Sequence, residues 1–114
     1  MNLEEFLSRL KNKPEAIAFD ETISVIEEYY DFTPTAFRNG DLTNEAGQNS
    51  GSCKIFGFAK NHGLSEELTL HCFGDYYRKD VLENPQGADH QNIRNFIKTG
   101  WSEIDFTSEP LSLK

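Results

Sequence analysis

Residues 35–44 read TAFRNGDLTN (Thr35, Ala36, Phe37, Arg38, Asn39, Gly40, Asp41, Leu42, Thr43, Asn44). In a chain whose other apolar patterns are mostly helical, this stretch separates an all-helical fold from a mixed one. Asn39-Gly40 is a favoured two-residue hairpin turn, because both central positions need positive φ. That turn sets Arg38 opposite Asp41 and Phe37 opposite Leu42, one pair complementary in charge and the other apolar. The flanking strands are short, so the hairpin needs support from a core.

Upstream of the hairpin, Leu3, Phe6, Leu7 and Leu10 repeat at helical spacing. Asn2 is the expected N-cap, and Glu4 and Glu5 suit the positive end of the helix dipole. Pro14 breaks the run. Phe19, Ile23, Ile26 and Tyr30 mark a second helix reaching about Tyr30, with Asp20 as its expected cap and Thr33-Pro34 as its stop.

Downstream, residues 44–52 form a polar loop. Ser52, Ile55, Phe56 and Ala59 then resume helical periodicity up to His62-Gly63, with Gly63 suited to the position after the C-cap. Ser65 caps a further helix with acids in its first turn. Leu68, Cys72 and Tyr76 are its expected inner stripe, with Phe73 beside it and Val81 and Leu82 continuing it. Asn84-Pro85-Gln86-Gly87 ends it. Asp89 is the expected cap of a last helix whose apolar face is Ile93, Phe96 and Ile97, and Gly100 stops it. Ile104-Asp105-Phe106 alternates as a third strand would, and residues 107–114 read as extended. The expectation is one α+β domain over residues 1–114, mainly helical. About five helices surround one core, with a small antiparallel β element: a hairpin at 35–43 and a candidate strand at 103–107.

The composition supports one core. The 114 residues are 37% hydrophobic and include nine Phe, four Tyr and one Trp, and each aromatic buries a large area. The net charge is −8, from 11 basic and 19 acidic residues. That balance argues against nucleic acid and anionic membranes as partners, and leaves a basic protein partner open. Cys53 and Cys72 do not make a disulfide framework and read as small buried hydrophobes of a reducing compartment. No apolar run approaches the ~18 residues of a membrane helix. Met1-Asn2-Leu3-Glu4-Glu5 lacks a secretory pattern. His62, His71, His90 and the two cysteines show no metal-ligand spacing, so neither metal nor cofactor is expected.

Three groups of residues are candidates for chemistry. GQNSGSCK at 47–54 is a Gly- and Ser-rich loop entering a helix, and such an end leaves backbone N–H groups free for an anion. It lacks the phosphate-loop signature, and plain capping is the simpler reading. Cys53 lies in that first turn. The order Cys53, then His71 or His90, then Asn92 would serve a cysteine hydrolase or transferase, against the plainer reading of a packed thiol. His90, Arg94 and Lys98 share one helix face, read as solvated or as a recognition surface. The binding candidates are Asn49, Ser50, Gly51, Ser52, Lys54, His90 and Arg94.

Several stretches also carry a family resemblance: Tyr30-Asp31-Phe32-Thr33-Pro34-Thr35-Ala36-Phe37, Asn39-Gly40, Asn49-Ser50-Gly51-Ser52-Cys53-Lys54, Cys72-Phe73-Gly74-Asp75-Tyr76-Tyr77-Arg78, Asp89-His90-Gln91-Asn92-Ile93-Arg94 and Gly100-Trp101. In order and over nearly the whole chain, they resemble the HopJ family of bacterial type III effectors. The resemblance implies synthesis in a bacterial cytoplasm and delivery into a host cell through a type III system. It implies no activity, cofactor or catalytic residue. The expected function is a non-enzymatic protein-binding domain. The alternatives are the Cys53 enzyme and a housekeeping protein that stays in the bacterium. An amphipathic helix at residues 3–10 must leave the core before export, which favours the last of these.

Gly40→Val is expected to destabilise the fold by roughly 1–3 kcal/mol, because a β-branched residue resists positive φ. Denaturant unfolding measures it, and an unchanged midpoint would remove the turn from this position.

Overall fold

The computed structural model describes residues 2–114. Met1, which heads the N-terminal segment read above, lies outside them. Asn2 starts the first helix, α1 (Leu3–Asn12): its side-chain oxygen accepts the Glu5 N–H at 2.8 Å. Pro14 opens a short 3₁₀ turn (Pro14–Ala16), where its missing N–H costs nothing. Helix α2 (Phe19–Tyr29) follows. Its N-cap is Ala18 rather than the expected Asp20, which sits inside the first turn. Glu21 compensates by accepting the Ala18 N–H at 3.0 Å.

The order continues with β1 (Tyr30–Phe32), β2 (Phe37–Asn39), β3 (Leu42–Asn44), α3 (Ser50–Asn61) and α4 (Glu66–His71). A π-helical turn (Tyr76–Val81) comes next, then α5 (Gln91–Thr99), a second 3₁₀ turn (Gly100–Glu103), β4 (Ile104–Phe106) and β5 (Leu111–Leu113). Ser65 caps α4 through the Leu68 N–H. Gly63, at φ +61°, closes α3 as expected: Leu64 N–H reaches Ala59 O at 3.0 Å and Gly63 N–H reaches Lys60 O at 3.2 Å.

The hairpin exists, and β4 joins it on the far side, giving an antiparallel sheet of order β3-β2-β4. Its register differs from the expectation. Asn39 pairs with Leu42, Arg38 with Thr43 and Phe37 with Asn44, so the turn is Gly40-Asp41, with Gly40 at φ +62°. Glycine in the first central position is the requirement of a type II′ turn. The slip is two residues, so every side chain keeps its face. The reason is tertiary: Asn39 is fully buried and belongs to a strand, not to an exposed turn tip. Across the other edge, Arg38 stands opposite Asp105 in the strand register. A second pair of strands is added by the fold. Tyr30, read as the end of α2, opens β1, and the extended C-terminal segment supplies its antiparallel partner β5.

Helix α3 runs through the centre, with Cys53, Ile55, Phe56, Gly57, Phe58 and Ala59 all buried. The Phe56 ring lies 4.9 Å from Phe96, 5.5 Å from Phe73 and 6.0 Å from Phe37. Phe58 meets Phe6 edge-on at 5.8 Å and Tyr30 at 6.0 Å. Gly57 lets the C-terminal segment cross α3: a Cβ there would stand 2.7 Å from the Pro110 ring. Three apolar side chains expected inside are outside. Leu82 is 52% exposed, Ile97 47% and Tyr76 42%. Gly74, at φ +63°, ends the α4 periodicity before Tyr76.

Buried amides join the hairpin to α5. Asn92 Oδ1 accepts from Asn39 Nδ2 and Asn44 Nδ2, both at 3.1 Å, and Asn92 Nδ2 donates to Asn44 Oδ1 at 2.9 Å. Asn95 Nδ2 donates to Asn39 O at 3.0 Å and Asp41 Oδ1 at 3.1 Å.

Asn92→Ala removes one side-chain partner from each of two buried amides, although Asn39 Nδ2 keeps the Asn92 backbone carbonyl at 2.8 Å and Asn44 Nδ2 keeps Phe37 O at 3.4 Å. At ~0.5–1.5 kcal/mol for each hydrogen bond lost from groups that keep another partner, the expected loss is roughly 1–3 kcal/mol. Urea unfolding checks this, and a loss under about 0.5 kcal/mol, the usual surface value, would remove the network from the fold's requirements.

Candidate functional site

The site begins with two helix starts in an unusual backbone conformation. Asn49, before α3, and His90, before α5, both have φ 50° and ψ 48°. They are the non-glycine residues with positive φ among the described residues. Asn and His are among the side chains that enter this region most readily. His90 therefore takes the cap position expected of Asp89. Neither helix has a capping side chain, so the first-turn N–H groups of Ser50, Gly51 and Ser52, and of Gln91 and Asn92, are left without one.

Both helix starts open into one cleft of about 450 Å³. Phe19, Phe73 and Tyr76 form its aromatic wall, and Gly51, Ser52 and His90 line it beside them. The Tyr76 ring stands 5.0 Å from Phe19, edge-on, and 5.1 Å from His90. Gly51 is required here: a Cβ would press on the Phe19 ring at 3.1 Å. The floor is the buried network, since Asn92 and Asn49 line the cleft and Asn49 Nδ2 donates to Asn44 Oδ1 at 2.7 Å. Among the described residues no Asp, Glu, Lys or Arg lines it. His90 Nε2 is 3.2 Å from Asp80 Oδ2 and 3.9 Å from Asp89 Oδ2.

The structure thus brings Asn49, Gly51, Ser52 and His90 together. Ser50 stands beside them, its hydroxyl turned to Gly47 O at 3.5 Å. It does not bring Lys54, which faces Glu27 at 3.7 Å and lies over the Phe32 ring at 5.0 Å. Arg94 is also elsewhere, and the solvated face read for it is corrected. Its side chain is 8% exposed and grips Asp89 Oδ1 at 2.6 Å, Asp89 O at 2.6 Å and Asn84 O at 2.8 Å. That grip holds the Asp89 carboxyl below its usual range. It also ties down the loop before α5.

Cys53 sits inside the core at 1% exposure, its thiol pointing at Thr35 O at 3.5 Å. Burial pushes its pKa up, and that of Cys72 to about 12. His71 faces Arg78 and His90 faces Asp80. Neither imidazole hydrogen-bonds Cys53, so no thiol and base are paired as a nucleophile needs. Among the described residues no three His, Cys, Asp or Glu gather as metal ligands, and no helix is long and apolar enough to cross a membrane. Phe19 was missed as a site residue because helical spacing assigns it to the core. Tyr76, which from sequence could line a groove with Tyr77, Arg78 and Trp101, was kept out of the candidates by the same spacing. The signal that was present is Gly74, a helix stop just before Tyr76. The π-helical turn that follows is a geometry frequent at functional sites.

A family model described as HopJ type III effector protein matches residues 3–111. The chain is similar to the solved crystal structure of VPA0580, a protein of unknown function. They share 53% identity and a TM-score of 0.99, over 100% of this chain and 95% of that one. No curated protein matches.

Both thiols are expected to resist labelling at pH 8 in the folded protein and to react at once in denaturant, as buried, protonated cysteines do. A disulfide-exchange reagent followed by absorbance measures this. Native labelling of Cys53 at the rate of a free thiol would restore it as a nucleophile.

Proposed function

The chain belongs to the HopJ type III effector family, and from that premise we propose that it is a non-enzymatic recognition domain that binds a protein partner. The cleft between the α3 and α5 starts takes a carboxylate of that partner. The observation that carries the reading is the convergence of two uncapped helix starts on one cleft that no carboxylate lines among the described residues, Asp80 and Asp89 standing behind His90. Amides at helix starts donate to oxygen anions, and the helix dipole favours negative charge there. The aromatic wall of Phe19 and Tyr76 offers apolar contact beside the donors, the usual composition of a binding pocket. The buried thiols support binding over covalent chemistry.

Charge describes the partner further. A domain of net charge −8 attracts a basic surface at long range and repels an acidic one. The fitting partner is a basic protein presenting one exposed acidic side chain. The family name supports a partner in a host cell. A partner in the bacterial cytoplasm is the second reading, favoured by α1, which buries Phe6 and Leu10 in the core and must be pulled out before export. A reporter fused behind α1 and followed for type III secretion separates the two.

Acetate and inorganic phosphate are the probes for the cleft. Titrated into the ¹⁵N-labelled protein, they are expected to shift the amides of Gly51, Ser52 and Gln91 saturably and to leave Lys54 still. Ser52→Asp places a carboxylate at the rim and should abolish those shifts while the protein stays folded. Shifts spread evenly over the surface, or unchanged in the variant, would overturn the reading.

A further inference from the structure

The pair His71 and Arg78 lies away from the cleft and has no part in the reading above. Arg78 comes from the π-helical turn, and its side chain is 17% exposed. Nη1 donates to Pro14 O at 3.2 Å and His71 O at 3.3 Å, and Nη2 donates to Ile17 O. One guanidinium therefore clasps residues 14–17, the joint between α1 and α2, against the end of α4. The remaining contact is the informative one: Nη1 stands 3.2 Å from His71 Nδ1. A guanidinium only donates hydrogen bonds. His71 Nδ1 must then be the acceptor, and the imidazole neutral with its proton on Nε2. Protonation would place an N–H against an N–H and a cation against a cation.

We infer that His71 and Arg78 form a latch on the α1–α2 joint that is closed while the imidazole is neutral and released on acidification. The groups around His71 make the latch two-sided. Glu67 on α4 and Glu15 on the joint itself favour the charged ring, while Arg78 opposes it. The Tyr77 ring meets the imidazole edge-on at 5.4 Å, and Asp75 stands 3.8 Å from the far side of the guanidinium. Burial and Arg78 prevail, so the folded-state pKa lies below the ordinary 6.5. The sign follows. Above pH 6.5 both the latched and opened joints hold a neutral ring, and the latch is at full strength. As the pH falls through 6.5 the opened joint takes the proton first, and latching weakens until the folded ring is itself charged. The element released is the N-terminal helix α1, whose connection to α2 is then left to a second guanidinium, Arg9, which donates to Ala16 O at 3.3 Å and pairs with Glu21 of α2.

Two measurements on the full chain test this. The ¹⁵N shifts of the His71 ring should show Nδ1 bare and Nε2 protonated at pH 7.5. Hydrogen-exchange protection factors of the Ala16 and Ile17 amides should fall several-fold between pH 7.5 and 5, following the titration of that ring. His71→Gln keeps an acceptor and removes the titration, so its protection should stay level, while His62→Gln should behave as the parent does. A proton on Nδ1 at pH 7.5 overturns the latch. So does a loss of protection that is the same in His71→Gln, or no loss at all in the parent. The ring shifts are read on the unmodified protein, so the test holds even if a variant fails to fold.

Discussion

The rest of the structure hangs on a single side chain, the amide of Asn92. It leaves the first turn of α5 and enters the space between β2 and β3, where Asn39 and Asn44 are fully buried. Buried amides cost stability unless paired, and here they pair with each other across elements far apart in sequence. The three-residue strands are too short to fix their own register. Asn92 fixes it, because a slip would strand two or three buried amides. Asn39 Oδ1 is buried without a protein partner, so the network is held by donors matched to carbonyls more than by a surplus of bonds.

Around that polar seam the stabilisation is aromatic. Phe56 stands within ring-contact distance of Phe37, Phe73, Phe96 and Trp101, so one residue of α3 links the sheet, the turn after α4, α5 and the 3₁₀ turn that follows α5. Close backbone approaches complete the packing. Pro110 crosses α3 at Gly57, and the chain at Gly74 passes so near Phe19 that a Cβ would lie 2.5 Å from its backbone nitrogen. That second approach couples core to surface: it stops α4, starts the π-helical turn and turns Tyr76 outward.

The cleft is a by-product of these same constraints. Asn49 and His90 take left-handed conformations that isolated chains visit rarely, and both are held there from outside. Asn49 is bonded to Asn44 of the network, and His90 lies between Tyr76 and Asp80. The resulting helix starts, both without a capping side chain, line one cleft. A cleft whose rim residues are held from several sides is preorganised, which supports the recognition reading proposed above.

Much of the fold was legible in the sequence because the signals are local. Leu3, Phe6, Leu7 and Leu10 with Asn2 before them specify α1 within one stretch, Ser65 and Gly63 punctuate α4 and α3, and Ile104 to Phe106 alternate as a strand must. The hairpin, too, was visible in residues 37–44, though not its register. What sequence could not supply depends on partners 48 to 53 residues apart, the separations joining Asn44 and Asn39 to Asn92. Local turn preference placed Asn39 in a turn, and its burial against α5 placed it in a strand. Helical spacing put Tyr76 inside and Arg94 outside. Gly74 reversed the first, and the open carbonyls of Asp80, Asn84 and Asp89 reversed the second. The candidate residues Asn49, Gly51, Ser52 and His90 could be named from sequence as two separate helix starts. Only the tertiary structure decided that they face each other, because one amide network draws both helices to the same sheet.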